Sequence, residues 1–320
     1  MKQMKQIISH ESALEYWRRH LKLPGNSTDR RCKADLPCEP LIIVPAIYSE
    51  FSLPVHILIG DRGARQVSRV VEQHLFSGKT PIGCFMNIGD RLMVCSPEFC
   101  YLQMATRLPL VDLIELGYEL CSEYSLPLRG DLNVPKEGFY KRDSLTSVRK
   151  LGGFLGSMPG TKGHKKALYA LRFLCGGAAS PMETKLAIFL TLPHMLGGFG
   201  FDLPELNKRI DLTSAERRKY GKDFYVCDIF WADKKIAVEY DSDQQHTGSD
   251  RIASDSIRRN ILESSGIKVV TITKQQLYSS MELTRAAQSI ATHMGRRLFS
   301  RKSGFYSKHH ELRKQLLKYS

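Results

Sequence analysis

Asp223-Phe-Tyr-Val-Cys-Asp-Ile-Phe-Trp231, Ala232-Asp-Lys-Lys235 and Ile236-Ala-Val-Glu-Tyr-Asp241 read together as a β-hairpin. The first and last segments are rich in β-branched and aromatic residues, and the polar middle is a turn. A two-residue loop at Asp233-Lys234, the commonest short hairpin connection, sets Asp228 directly opposite Glu239. Side chains alternate faces along a strand. One face is then expected to carry Val226, Asp228, Phe230, Ala237, Glu239 and Asp241. The other carries Cys227, Ile229, Trp231, Ile236, Val238 and Tyr240, and is apolar apart from the tyrosine hydroxyl. Three carboxylates on one face repel one another. A divalent cation relieves that repulsion, and oxygen-rich sites suit Mg²⁺ or Mn²⁺.

The chain has 320 residues and ordinary apolar and charged fractions, enough for two domains with separate cores. Its formal net charge is +14, and its isoelectric point is about 9.4. Such a balance favours an acidic partner, nucleic acid before an anionic membrane surface. A generic basic surface is the plainer explanation. Much of the excess lies at the end, where Arg296 to Ser320 hold eight Lys and Arg against the single acid Glu311.

None of the eight cysteines forms a C-x-x-C pair, and the Cys95–Cys100 spacing fits no common zinc motif. Several sit in apolar stretches, where cysteine acts as a small hydrophobe. A reducing cytosol is the simplest setting, since Met1-Lys-Gln-Met-Lys-Gln-Ile-Ile8 lacks the apolar region of a signal peptide. No run approaches the roughly 18 apolar residues of a spanning helix. Gly156-Ser-Met-Pro-Gly-Thr-Lys162 has the wrong spacing for a phosphate loop.

Along the chain, Ser9 is read as the cap of a helix through Ala13, Leu14 and Trp17, and residues 21–38 as a loop. Leu41–Tyr48 and Pro54–Gly60 read as strands, Gly63–Phe76 as a helix, and Arg91–Val94 as a short strand. Ser96-Pro97-Glu98 starts a helix, with the proline at its first position. A second helix runs from Leu110 to Cys121. Residues 122–145, rich in Pro, Gly and charge, read as the boundary, and helical stretches follow near 145–155 and 164–176. Ser180-Pro-Met-Glu183 opens a further helix with Met182, Leu186, Phe189 and Leu190 on one face. After the hairpin come a helix over 249–265, with Ile257, Ile261 and Leu262 inward and Gly266 at its end, and a strand over Ile267–Thr273. From residue 180 the order is helix, strand, strand, helix, strand.

Asp228, then Glu239 and Asp241, spaced across adjacent strands, resemble the PD-(D/E)xK nuclease superfamily. More closely, residues 178–275 resemble the nuclease-like family related to very-short-patch repair endonucleases. The matching pieces are Ser180-Pro-Met-Glu183, Cys227-Asp228, Ala237-Val-Glu-Tyr-Asp241, His246, and Asp255, Arg258, Arg259 and Leu262 before Gly266-Ile-Lys-Val-Val270. Leu53-Pro-Val-His-Ile-Leu-Ile-Gly60, Val94-Cys-Ser-Pro-Glu-Phe99 and Leu108-Pro-Leu-Val-Asp-Leu113 resemble, more faintly, abortive-infection type antitoxin regulators. Composition places a linker and helical segment over 123–177 and a basic tail over 296–320; the resemblance implies an α/β fold, with a mixed α/β domain over residues 1–122 and a restriction-endonuclease-like αβββαβ-type core over 178–295. It implies a cytoplasmic, DNA-binding endonuclease, with Mg²⁺ (or Mn²⁺) on Asp228, Glu239 and Asp241. Position 241 is an aspartate where the superfamily usually has lysine. His246 lies five residues after Asp241, where four are usual.

Each candidate has a second reading. Asp228 and Glu239 are metal ligands, or a cross-strand pair kept apart by solvent or lysines. Asp241 is a third ligand, a water-orienting group, or an acceptor for turn amides. His246 is a general acid or base, or an exposed loop histidine. Glu183 turns toward the metal, or closes a capping box on the Ser180 N–H. Arg258 and Arg259 contact phosphate, or Arg259 pairs with Asp255 in solvent. Arg296, Arg297, Arg301 and Lys302 in the tail bind nucleic acid, with Phe305 and Tyr306 stacking on bases, or the tail packs as a helix through Leu312, Leu316 and Leu317. The rival function is a non-enzymatic regulator with a toxin or other protein partner.

Overall fold

In the computed structural model, which describes residues 5–20, 31–32, 34–39, 48–89, 91–241, 259–298 and 304–317, the chain divides between Arg172 and Phe173. Both halves are α/β.

The first unit holds six strands: β1 (Gln6–Ile8), β2 (Arg31–Cys32), β3 (Val55–Ile59), β4 (Val71–Leu75), β5 (Phe85–Asn87) and β6 (Leu92–Cys95). They form one mixed sheet in the order β2-β5-β6-β1-β3-β4. Helix α1 (His10–Arg19) follows the extended Ser9 and buries Trp17, whose indole N–H bonds the Cys95 carbonyl at 2.9 Å. Helix α2 (Pro97–Met104) is capped as its sequence predicts: Ser96 Oγ accepts from the Phe99 N–H, and Pro97 stands in the first turn. Helices α3 (Leu110–Leu120), α4 (Val148–Gly156) and α5 (His164–Leu171) and a small pair, β7 (Tyr124–Ser125) with β8 (Tyr140–Lys141), complete it.

Three expectations fail in this unit, the first being the loop over 21–38, since Arg31–Cys32 within it form strand β2. Gly63–Phe76 is not a helix; a short 3-10 turn (Arg62–Ala64) leads into strand β4. Val67, Val70, Val71, His74 and Leu75 do satisfy a helical period. Yet Val67 is fully exposed, and β4 pairs in parallel with β3 throughout, so sheet pairing overrides the local pattern. Residues 122–145 are not a linker either. Arg142, 6% exposed, donates to the carbonyls of Trp17, Glu119 and Tyr124 at 2.8–2.9 Å. The segment is stapled to the ends of α1 and α3, and the division falls some thirty residues later, after α5.

The second unit runs α6 (Pro181–Thr191), β9 (Glu205–Asp211), α7 (Ser214–Tyr220), β10 (Phe224–Trp231), β11 (Ile236–Asp241), helical residues 259–264, then β12 (Lys268–Thr273), α8 (Lys274–Tyr278), α9 (Ser280–His293) and α10 (Phe305–Leu317). The sheet order is β12-β11-β10-β9. β9, β10 and β11 are antiparallel neighbours, and β12 lies parallel to β11. Thus β9, absent from the element order read along the chain, supplies the third strand of an αβββαβ succession, with α7 inserted. Its sequence, Glu-Leu-Asn-Lys-Arg-Ile-Asp, is that of a charged edge strand. Ile261 and Leu262 are buried, as expected, and Gly266 ends their helix at φ 75°.

Part of the basic C-terminal segment is core rather than tail. Helix α10 buries Phe305, His309, Leu312, Leu316 and Leu317. Phe305 sits 5.9 Å from the Phe199 ring and 5.4 Å from that of His309, so it is not available to stack on bases; Tyr306 is exposed. The docking point is Gly197, at φ 90°, where a Cβ would come within 2.3 Å of the Lys308 carbonyl. His309 Nδ1 donates to the Gly197 carbonyl at 2.7 Å.

Candidate functional sites: the hairpin acids and a histidine cluster

The hairpin forms in the expected register. Trp231 faces Ile236, Phe230 faces Ala237, and Ile229 faces Val238, so Asp228 and Glu239 come next along the same ladder. The turn is longer than expected, spanning residues 232–235, with Lys235 taking the positive φ (51°) that lets the chain reverse. Regular pairing stops at Asp228. There the N–H of Tyr240 bonds the Asp228 carboxylate (Oδ2, 2.8 Å), which lays the side chain toward the neighbouring strand. On the other side, the β9–β10 ladder skips Asp228 and resumes at Ile229, opposite an Asn207 held at φ 47°.

This irregularity changes the expected faces. Tyr225 and Cys227 share one core cluster with Phe230, Ala237, Ile261, Leu262 and Ile267. Strict alternation would put Cys227 and Phe230 on opposite sides. The strand changes side at Asp228, as strands do at bulges, which re-aim side chains. Glu239 is 9% exposed on β11, between β10 and β12; Asp228 and Asp241 are half-buried.

Glu183 does not close the expected capping box. Its carboxylate accepts from the Ala179 N–H (2.8 Å), the Ser180 hydroxyl (2.8 Å) and Asn207 Nδ2 (2.7 Å). Ser180 Oγ accepts in turn from the Glu183 N–H, but the Ser180 N–H is not Glu183's partner. Asn207 also bonds the Gly177 carbonyl. Asn207 thus ties the start of α6 to the point on β9 opposite Asp228, and sequence reasoning missed it. The available signal was a poor strand former inside a strand, of the type that tolerates positive φ.

Arg259 donates to Thr271 Oγ1 at 3.0 Å. Arg296 donates to the Gly200 carbonyl at 3.0 Å and lies over the Phe201 ring. Arg297 is exposed. His246, Asp255, Arg258, Arg301 and Lys302 lie outside the described residues.

Among the described residues, the group that brings three metal-ligand atoms within 4.8 Å of one another is in the other unit: His56, Glu72 and His74. Parallel pairing sets His56 of β3 beside Glu72 of β4, and Leu58 beside His74. Above them, the His10 ring stacks on that of His74 at 3.8 Å. His10 stands at φ 48°, its N–H bonded to Gln103 Oε1. Burial, with the neighbouring His74, His56, Arg107 and Lys162, pushes the His10 pKa down to about 2. Burial and His56 lower that of His74 to about 4, against the pull of Glu72.

No family model matches the chain, and no solved structure does. It is similar to proteins of two strains of Mycobacterium tuberculosis, each described as an uncharacterized protein, with 29% identity over 137 residues. That alignment covers 43% of this chain and 45% of each relative, so the chain spans less than half the length of the curated relatives it matches. Among the described residues no helix is long and apolar enough to cross a membrane. All eight cysteines are free, and Cys84, Cys95, Cys100, Cys121 and Cys227 are buried, consistent with their apolar sequence surroundings.

The depressed histidines fix a pH dependence. Both fold as neutral rings, whereas the unfolded chain protonates them near the ordinary value of 6.5. Stability is therefore fully present above that value. It is lost as pH falls toward about 4, because the unfolded state takes up protons that the folded state refuses. The expected slope is about 1.4 kcal/mol per pH unit for each histidine. Urea midpoints at pH 7 and 5 test it: the parent should lose stability, and His74→Gln should lose less. Equal losses in both would contradict the assignment to His74.

Proposed function

We propose that the second unit is a metal-dependent nuclease of restriction-endonuclease-like type. It hydrolyses phosphodiester bonds, in DNA first, in defence, mobile-element biology or repair. The observation carrying this reading is the placement of Asp228 and Glu239 at the end of one antiparallel ladder. Asp241 lies two residues further along β11, within a helix–three-strand–helix–strand succession.

Asp228, Glu239 and Asp241 would hold Mg²⁺ or Mn²⁺. They do not bring one oxygen each within 4.8 Å of one another. That fits Mg²⁺, which is commonly held by one or two carboxylates, with water and substrate phosphate completing the shell. The Tyr240 N–H orients the Asp228 carboxylate, as outer-shell donors to metal ligands do. The ion supplies charge stabilisation at the scissile phosphate and an activated water. His246 is the general acid or base in this reading. Arg258, Arg259, Arg296, Arg297, Arg301 and Lys302, with the net charge of +14, draw the nucleic acid in.

One observation favours the rival reading of a regulator on a nuclease scaffold. The Glu183 carboxylate already accepts from Ala179, Ser180 and Asn207. The two readings separate on incubating the full chain with single- and double-stranded DNA and RNA, in Mg²⁺, Mn²⁺ or EDTA. Cleavage that needs the metal supports the nuclease. Tight binding without cleavage of any of these substrates supports the regulator, with a toxin or other protein as its partner.

A further inference from the structure

We propose that the first unit carries a second metal site, built from His56 Nδ1, His74 Nε2 and the Glu72 carboxylate, that takes one zinc-class divalent ion. The donor set is two imidazoles and one carboxylate, a combination that suits Zn²⁺ better than Mg²⁺. The distances suit it as well. His56 Nδ1 and His74 Nε2 are 2.8 Å apart; Glu72 Oε2 lies 3.9 Å from the first, and Glu72 Oε1 lies 3.7 Å from the second. Ligand atoms about 2.0–2.1 Å from a tetrahedral zinc stand about 3.3–3.4 Å from one another. The observed separations bracket that value, so small side-chain rotations bring all three into range.

Sheet pairing frames them. His56 and Glu72 are register partners on adjacent parallel strands, and His74 follows Glu72 on the same face. The His10 ring stacked on His74 supports its plane. A fourth donor is at hand. Glu11 Oε2, on α1, lies 3.5 Å from His56 Nδ1, is shielded from solvent, and has no hydrogen-bond partner. Its other oxygen is held by Arg107 Nε at 2.8 Å, which aims the carboxylate. An entry path exists, because His74 also lines an open cleft of about 810 Å³ with Arg62, Arg65, Arg107 and Lys162. This site stands in the other unit from the hairpin acids and does not depend on the nuclease reading.

The test uses the full chain, stripped with EDTA and dialysed, then titrated with Zn²⁺ by calorimetry and with Co²⁺ by absorption. The parent should bind one equivalent, with a tetrahedral cobalt spectrum lacking the thiolate charge-transfer band that cysteine ligands would give. Glu72→Gln alters a half-exposed side chain and should weaken binding by about tenfold or more, the scale of removing one good ligand interaction. His74→Gln should weaken it at least as much. Zn²⁺ should raise the melting temperature of the parent and not of His74→Gln. If His74→Gln fails to fold, Glu72→Gln alone decides. No stoichiometric uptake by the parent would overturn the site, leaving a plain ion-pair network with Arg107. A thiolate cobalt spectrum, or binding unchanged in Glu72→Gln, would overturn it too.

Discussion

Arg142→Met is expected to destabilise the first unit by about 3–5 kcal/mol, since each buried carbonyl left without its donor costs roughly 1–3 kcal/mol. Methionine keeps much of the stem's packing, so the loss isolates the guanidinium. That group donates to Trp17 and Glu119, in the last turns of α1 and α3, and to Tyr124 on β7. Last-turn carbonyls have no intrahelical partner and carry the negative end of the helix dipole. One planar cation therefore caps two helices at once. The loss would not be recovered by the nearby Arg18–Glu119 pair, whose two bonds of 2.9 and 2.7 Å already engage both carboxylate oxygens. Arg142→Lys should recover part of the stability, because an ammonium restores charge but cannot spread donors over three directions. Urea denaturation at neutral pH measures all three proteins. A loss under about 1 kcal/mol for Arg142→Met, the scale of a solvated surface change, would mean that residues 122–145 are a linker after all.

This staple was invisible in the sequence for a physical reason. Pro, Gly and charge mark turns, and turns can be docked as firmly as helices; nothing in the local pattern shows that Arg142 finds carbonyls more than a hundred residues away at Trp17. The same limit hid β4. Its helical period was real, and only pairing with β3 decides against it. Signals confined to a few residues did better. The Ser96-Pro97 helix start, the α3 span and the hairpin register follow from caps, periodicity and strand alternation. At the candidate site, the sequence put Asp228 opposite Glu239. It could not show the ladder opening at Asp228, which depends on Asn207 across the sheet and on the Tyr240 N–H. Nor could it show Glu183 drawn to Asn207. The Glu72-x-His74 pair was hidden by reading its strand as a helix.

Asp228→Asn is expected to leave the fold intact and to slow cleavage by about 10²–10³-fold or more, the scale of losing one charge-stabilising group from a catalytic site. The amide keeps the shape and can still accept the Tyr240 N–H, so the hairpin register survives. What it loses is the charge that would bind the ion in the proposed site. Relief of repulsion with Glu239 should make the metal-free variant no less stable than the parent. DNA binding through the arginines should persist. Asp241→Lys supplies the contrast, by placing there the lysine usual in the PD-(D/E)xK nucleases that the hairpin resembles. If Asp241 only orients water, this variant keeps cleavage; if it is a ligand, it falls with Asp228→Asn. The central claim rests on one comparison: initial rates of Mg²⁺-dependent DNA cleavage by the parent and Asp228→Asn, at equal folded concentration, with EDTA controls. Cleavage by the parent that EDTA abolishes and the variant lacks is the predicted result; equal rates in the two proteins would contradict it.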